Sequence, residues 1–245
     1  MTERATGGRP VDEIGTSDAP QRASHPGLVV EPTDPDHPAV AALLAEARTL
    51  YPVDEHLAPG LPISGDHILN PDWHGDVAPP PPREAAVLIA LGTSPSGELG
   101  VVLTERAGHL AAHAGQVALP GGKLEPGETP AMAALREAEE EVALPPAAVR
   151  PLGLVEPYLT RTGFMVVPVL ALLTERVVLR PHPGEVSDIF LAPWVRVMDA
   201  AFRSEEVYTL EGRSRRFYQT MVGERCVWGV TAGIFKVVSE RLYRP

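Results

Sequence analysis

Three glutamates, Glu137, Glu140 and Glu141, stand at i, i+3 and i+4 in the segment AMAALREAEEEVAL, residues 131–144. Residues at these offsets share one face of an α-helix. The segment is rich in Ala, Leu, Met, Glu and Arg, all good helix formers. Thr129-Pro130 marks its start, because threonine suits the N-cap and proline at the first helical position gives up a hydrogen bond it would not have made. Carboxylates this close repel one another by about 0.2–0.5 kcal/mol per pair. A hard divalent cation such as Mg2+ removes that repulsion, since it takes carboxylate and phosphate oxygens. A bare acidic run is more often a solvated helix face. Here the run is tied to Gly122, Glu128 and Arg136 at set offsets, and that arrangement points to a metal platform.

The surrounding chain has to position this face. With 245 residues it is long enough to bury a sizeable core. The segment AAVLIAL (residues 85–91) is a short continuous apolar run of the kind that makes a buried strand, and SPSGELG then GVVLTER read as a turn and a paired strand. After the acidic helix come strand candidates VRPLGLVEPYLT and MVVPVLALL, a loop RPHPGEVSD, the piece IFLAPWV, and a charged hairpin with Gly212 near its turn. Near the C-terminus, Ile234, Val237, Val238 and Leu242 form one apolar helical stripe. Short strands mixed with two main helices predict an α/β/α sandwich with a mixed β-sheet between helices.

Fourteen of the 27 prolines fall in the first 82 residues. Residues 1–35 have little apolar periodicity and read as a disordered or loosely attached tail. Residues 36–82 read as a helix (His37 to Leu50) followed by a proline-rich arm, packed on the domain or on a second subunit as in a homodimer; the folded domain then spans 83–245. The net charge of −11 argues against nucleic acid held along a basic surface. The single cysteine, Cys226, excludes an intramolecular disulfide and suits a reducing compartment. No apolar run long enough to span a membrane occurs, so a cytoplasmic protein acting on a small molecule is expected.

The stretch from Gly122 to Leu144 resembles the Nudix box, G-x5-E-x7-R-E-U-x-E-E-x-G-U, with U an aliphatic residue. Gly122, Glu128, Arg136, Glu137, Glu140, Glu141 and Leu144 take its positions in register; Ala138 is a small aliphatic, and Ala143 stands where the family has glycine. The resemblance implies the Nudix-type fold and Mg2+- or Mn2+-dependent hydrolysis of a diphosphate, with Glu137, Glu140 and Glu141 as metal ligands and Glu128 in support. Glu140 is the first candidate for the general base and Glu185 the second, while Arg136 orients a box glutamate. The preceding segment is similar to the coenzyme A pyrophosphatase branch: Leu103, Thr104, Arg106, Ala107, Gly115, Pro120, Gly121 and Gly122 match, whereas Ala111 and Leu119 replace an arginine and a phenylalanine. That likeness implies a substrate held by Arg106, His113, Gly121, Gly122 and Arg161, with Arg161 or the Arg213, Arg215 and Arg216 group in place of the missing arginine. The hairpin arginines read more simply as a charged tip. The resemblance favours cleavage of coenzyme A or its thioesters into 3',5'-ADP and (acyl-)4'-phosphopantetheine. Hydrolysis of ADP-ribose, dinucleotides or nucleoside triphosphates is the alternative, and non-catalytic nucleotide sensing ranks below both because every box carboxylate is kept.

Overall fold

The computed structural model describes residues 27–54, 61–71, 81–108, 115–210 and 212–243. Along the first half run β1 (Leu28–Val30), α1 (Pro38–Glu46), β2 (Ser64–Gly65), α2 (Asp66–Leu69), β3 (Arg83–Thr93), β4 (Leu99–Arg106), β5 (Val117–Ala118), β6 (Gly121–Lys123) and α3 (Pro130–Val142). The second half holds β7 (Val149–Leu154), β8 (Tyr158–Leu159), β9 (Phe164–Leu173), β10 (Val177–Leu179), β11 (Val186–Pro193), α4 (Trp194–Met198), β12 (Arg203–Leu210), β13 (Arg213–Val222), β14 (Arg225–Trp228) and α5 (Val230–Leu242).

β3, which contains the AAVLIAL run, is the axis. It pairs in parallel with β9 from Arg83–Phe164 to Leu91–Leu172, and antiparallel with β4 and β6. The main sheet is ordered β11-β4-β3-β9-β8-β2, with β5 on β4, β6 on β3 and β7 on β9. Successive strand residues point to opposite faces. Ala86, Leu88 and Ala90 therefore join Ala134, Ala138 and Val142 of α3, while Ile89 and Leu91 join Val40 and Leu43 of α1 and Ile234, Phe235 and Val238 of α5. Both faces of β3 are covered, which is why its sequence is apolar without alternation. The result is a mixed sheet between helices. Beside it, β12, β13 and β14 form a separate antiparallel sheet.

The boundaries change at the N-terminal side. The loose tail expected to residue 35 does not hold for residues 27–35. β1 pairs with β10, Val30 is fully buried, Glu31 and Thr93 exchange backbone hydrogen bonds of 2.9 Å, and the Thr33 hydroxyl donates to the Leu173 carbonyl at 2.8 Å. A three-residue strand flanked by polar residues and prolines carries too little periodicity to be seen in sequence. The arm packs on the domain itself: Val40 and Leu43 are in the core, Tyr51 bridges Leu154, and β2 runs parallel to β8.

Deleting residues 1–35 is expected to cost about 2–4 kcal/mol, from lost burial of Val30 and the Thr33 hydrogen bond. Urea unfolding reads this out, and a midpoint equal to that of the full chain would mean that β1 contributes nothing.

Candidate active site

Helix α3 presents the carboxylates because of what its other face does. Ala131, Ala134, Ala138 and Val142 are buried against the sheet, and their small size lets the helix lie close to β3 and β6. The N-cap is Thr129, whose hydroxyl accepts the Met132 N–H at 3.3 Å, with Pro130 in the first turn. At the exit, Ala143 adopts the left-handed conformation (φ 55°, ψ 36°) and is the one non-glycine residue with positive φ among the described residues. Its N–H bonds to the Glu139 carbonyl at 3.0 Å and that of Leu144 to the Ala138 carbonyl at 3.3 Å. Alanine in place of the family glycine therefore leaves the exit geometry intact and loads it with strain.

The acids do not share one environment. Arg136 binds three of them: Nε and Nη2 reach Glu128 at 2.8 and 3.0 Å, and Nη1 reaches Glu137 at 2.9 Å and Glu140 at 3.3 Å; Nη2 also donates to the Lys123 carbonyl at 3.0 Å. The paired guanidinium holds the Glu128 carboxyl below its usual range, and Glu128 in turn accepts the Glu125 N–H at 2.8 Å, closing the loop before α3. Glu140 is 59 % exposed. Glu137 lies so close to Gly122 that a Cβ there would have to displace its carboxyl group, so glycine at this position leaves the carboxylate where it is. Burial raises the pKa of Glu137, Arg136 opposes the rise, and the charges of Glu140 and Glu185 add to it.

Glu141 is different. It is 5 % exposed and accepts the Gly121 N–H at 3.2 Å, with Arg106 Nη1 4.0 Å from its other oxygen. Burial pushes it up to about 7, and the charges of Glu137 and Glu185 add to the rise against the Gly121 and Arg106 contacts. Glu185 comes near because its loop docks on the end of α3: Arg180 N–H bonds to the Val142 carbonyl at 3.0 Å, His182 N–H to the Glu141 carbonyl at 2.8 Å, and the Glu185 carbonyl accepts from Ala107 at 2.9 Å. These bonds also satisfy helix-end carbonyls that would lack partners.

A cavity of about 580 Å3 opens beside this face. Arg106, Gly121, Gly122 and Lys123 line its carboxylate end, Arg161 lies on one side, and β12–β14 together with the start of α5 line the rest. His113 and Ala111 lie outside the described residues. The sequence reading missed Asp66 and Asn70 of the arm. Asp66 accepts from the Tyr158 hydroxyl and the Arg161 N–H, both at 2.8 Å, and Asn70 clamps the backbone of Arg216 with bonds of 2.9 and 3.1 Å. It also missed that the hairpin carries aromatic residues into the cavity. The signal was there in Tyr208 and Phe217 flanking the turn and Trp228 close behind, but the arginines masked it.

The NUDIX domain family model matches residues 72–221. The chain is 40% identical over 162 residues to the Nudix hydrolase NudL of Escherichia coli (strain K12), itself uncharacterized, covering 65% of this chain and 83% of NudL. It is 39% identical over the same length to the uncharacterized NudL of Shigella boydii serotype 4 (strain Sb227), with the same coverage. Among solved structures, the Nudix hydrolase RenU of M. smegmatis is 26% identical, with a TM-score of 0.43 over 51% of this chain and 79% of that one. The chain belongs to the NUDIX domain family. It is a Nudix hydrolase. Among the described residues no helix is long and apolar enough to cross a membrane.

Two outcomes follow. Ala143→Gly relieves the left-handed strain and is expected to stabilise the protein by about 0.5–1 kcal/mol in urea unfolding; a loss of stability would show that the exit is unstrained. In EDTA, Glu141→Gln should match the parent in stability below pH 4.5 and exceed it progressively as the pH rises through about 7, because a carboxyl whose folded pKa is raised loses stability over that interval. Parallel pH profiles of melting temperature would contradict this.

Proposed function

We propose that the carboxylate face holds Mg2+ or Mn2+ through Glu137, Glu140 and Glu141, and that the chain uses it to hydrolyse a diphosphate joining a nucleotide to a second group. The observation that carries this reading is Glu141, a buried acid set among like charges beside a cavity. Hard carboxylate oxygens on one helix face are the donor chemistry these ions take. Among the described residues no three such side chains converge on a common metal position; Glu137 and Glu140 bond to Arg136, and Glu141 accepts the Gly121 N–H. A bound divalent cation would supply charge neutralisation at the phosphoryl oxygens and acidify a coordinated water.

The remaining work falls to the chain. Glu140, exposed and held by the longest of the Arg136–glutamate contacts, is the first candidate for general base, with Glu185 on the docked loop as second candidate. Arg136 orients Glu137 and Glu128, and Glu128 keeps the glycine loop closed. Arg106, Gly121 and Gly122 at the carboxylate end, with Arg161 to the side, would receive the phosphates. The donor set and the cavity support the broad class best, which includes ADP-ribose and dinucleotides. Coenzyme A is a narrower second reading, supported by the in-register residues Leu103, Thr104, Arg106, Ala107, Gly115 and Pro120. A lone cysteine, half-buried, suits a cytoplasmic setting.

Glu141→Gln and Glu137→Gln are expected to fold and to lose two or more orders of magnitude in turnover with Mg2+ or Mn2+, the size of effect seen when a transition-state charge partner is removed. Chromatography of products from ADP-ribose, a diadenosine polyphosphate and coenzyme A identifies the substrate. Parent-like turnover of Glu141→Gln would remove the metal assignment, and no product from any of the three would remove the diphosphatase reading.

A further inference from the structure

The cavity end away from the carboxylates is aromatic, and nothing in the diphosphate chemistry requires that. Aromatic residues make up 5% of the chain, thirteen in all, and four of them line this one cavity. Phe164 already has a partner, since the Arg83 guanidinium lies 3.9 Å from its ring centroid. The other three stand on one face of the β12–β14 sheet. The register pairs Tyr208 with Arg215, Glu206 with Phe217 and Gln219 with Trp228, so Tyr208, Phe217 and Trp228 point the same way. They contact one another edge to face, with centroids 5.4 Å apart for Tyr208–Phe217 and 5.6 Å for Phe217–Trp228. All three are only half-buried. Rings held in a row, half-exposed and lining an open cavity, offer aromatic surface to a flat ligand.

The wall is also fixed in place. Asn70, 7 % exposed, grips the backbone of Arg216 next to Phe217, while Asp66 on the same short arm holds the Arg161 loop across the cavity. The arm therefore sets the spacing between the aromatic wall and the loop opposite.

We propose that this end of the cavity is a nucleobase subsite, in which the base of the substrate packs against the Phe217–Trp228 pair, face to one ring and edge to the other as their 68° angle requires, while its phosphates reach Gly121–Lys123. The inference rests on the nucleotide-diphosphate reading above and assigns the part of the substrate that Phe217 and Trp228 recognise. Stacking on an aromatic side chain suits any base, whereas a flexible aliphatic amide arm gains little from it.

The test is equilibrium binding followed by calorimetry, using AMP, ribose 5-phosphate and 4'-phosphopantetheine as probes on the intact chain. AMP should bind at least tenfold more tightly than ribose 5-phosphate. Phe217→Leu and Trp228→Leu should each weaken AMP by about tenfold and leave ribose 5-phosphate unchanged. Asn70→Ala, a change in a positioning residue, should weaken AMP selectively in the same way. Two variants of the wall keep the result readable if one fails to fold. Equal affinities for AMP and ribose 5-phosphate would overturn the proposal. So would 4'-phosphopantetheine binding that competes with AMP and is weakened by the same variants, which would give the wall to the aliphatic arm. Because the probes are not hydrolysed, failure here is separable from a failure of the diphosphatase assay.

Discussion

One guanidinium serves three carboxylates, and a fourth acid is left over. Arg136 binds Glu128, Glu137 and Glu140, whereas Glu141 lies buried with Arg106 at 4.0 Å and the negative charges of Glu137 and Glu185 nearby. A buried carboxylate in such company is stable only if it binds a proton or a cation. Everything around it is arranged so that the acid cannot escape. The alanines of α3 press the helix onto the sheet, Gly121 offers its N–H, and Gly122 makes room for the neighbouring Glu137.

The same constraint explains features that have little to do with catalysis taken one by one. The left-handed Ala143 ends α3 immediately after the acids, so the loop at 180–186 can cap the helix carbonyls and bring Glu185 alongside. The arm, outside the central strands in sequence, ties the Arg161 loop and the hairpin into one cavity wall through Asp66 and Asn70. Arg106 and Gly121–Lys123 thus line one part of the cavity, and the aromatic row of β12–β14, with Arg216 beside it, lines another.

Much of this was legible in the sequence where the signal was local. Spacing put Glu137, Glu140 and Glu141 on one helix face, Thr129-Pro130 marked the helix start, and the AAVLIAL run marked the buried central strand. What was not legible depends on contacts between distant residues. Asp66 and Asn70 meet partners 92 to 146 residues away, and an irregular arm gives no periodicity to announce them. β1 is three residues long and pairs with β10, far along the chain. The hairpin was read by its charges because arginines dominate its composition, yet the two-residue period of its strands sends the aromatic side chains to the cavity.

The central claim is that the α3 carboxylates form a cation site and not merely a salt-bridged helix face. Titration of the intact protein with Mn2+, followed by the loss of the free-ion electron paramagnetic resonance signal, tests it without reference to any substrate. The account predicts saturable Mn2+ binding that is displaced by Mg2+ and weakened at least tenfold in both Glu137→Gln and Glu141→Gln. Mn2+ binding that is absent at millimolar concentration, or equal in the parent and both variants, would contradict it.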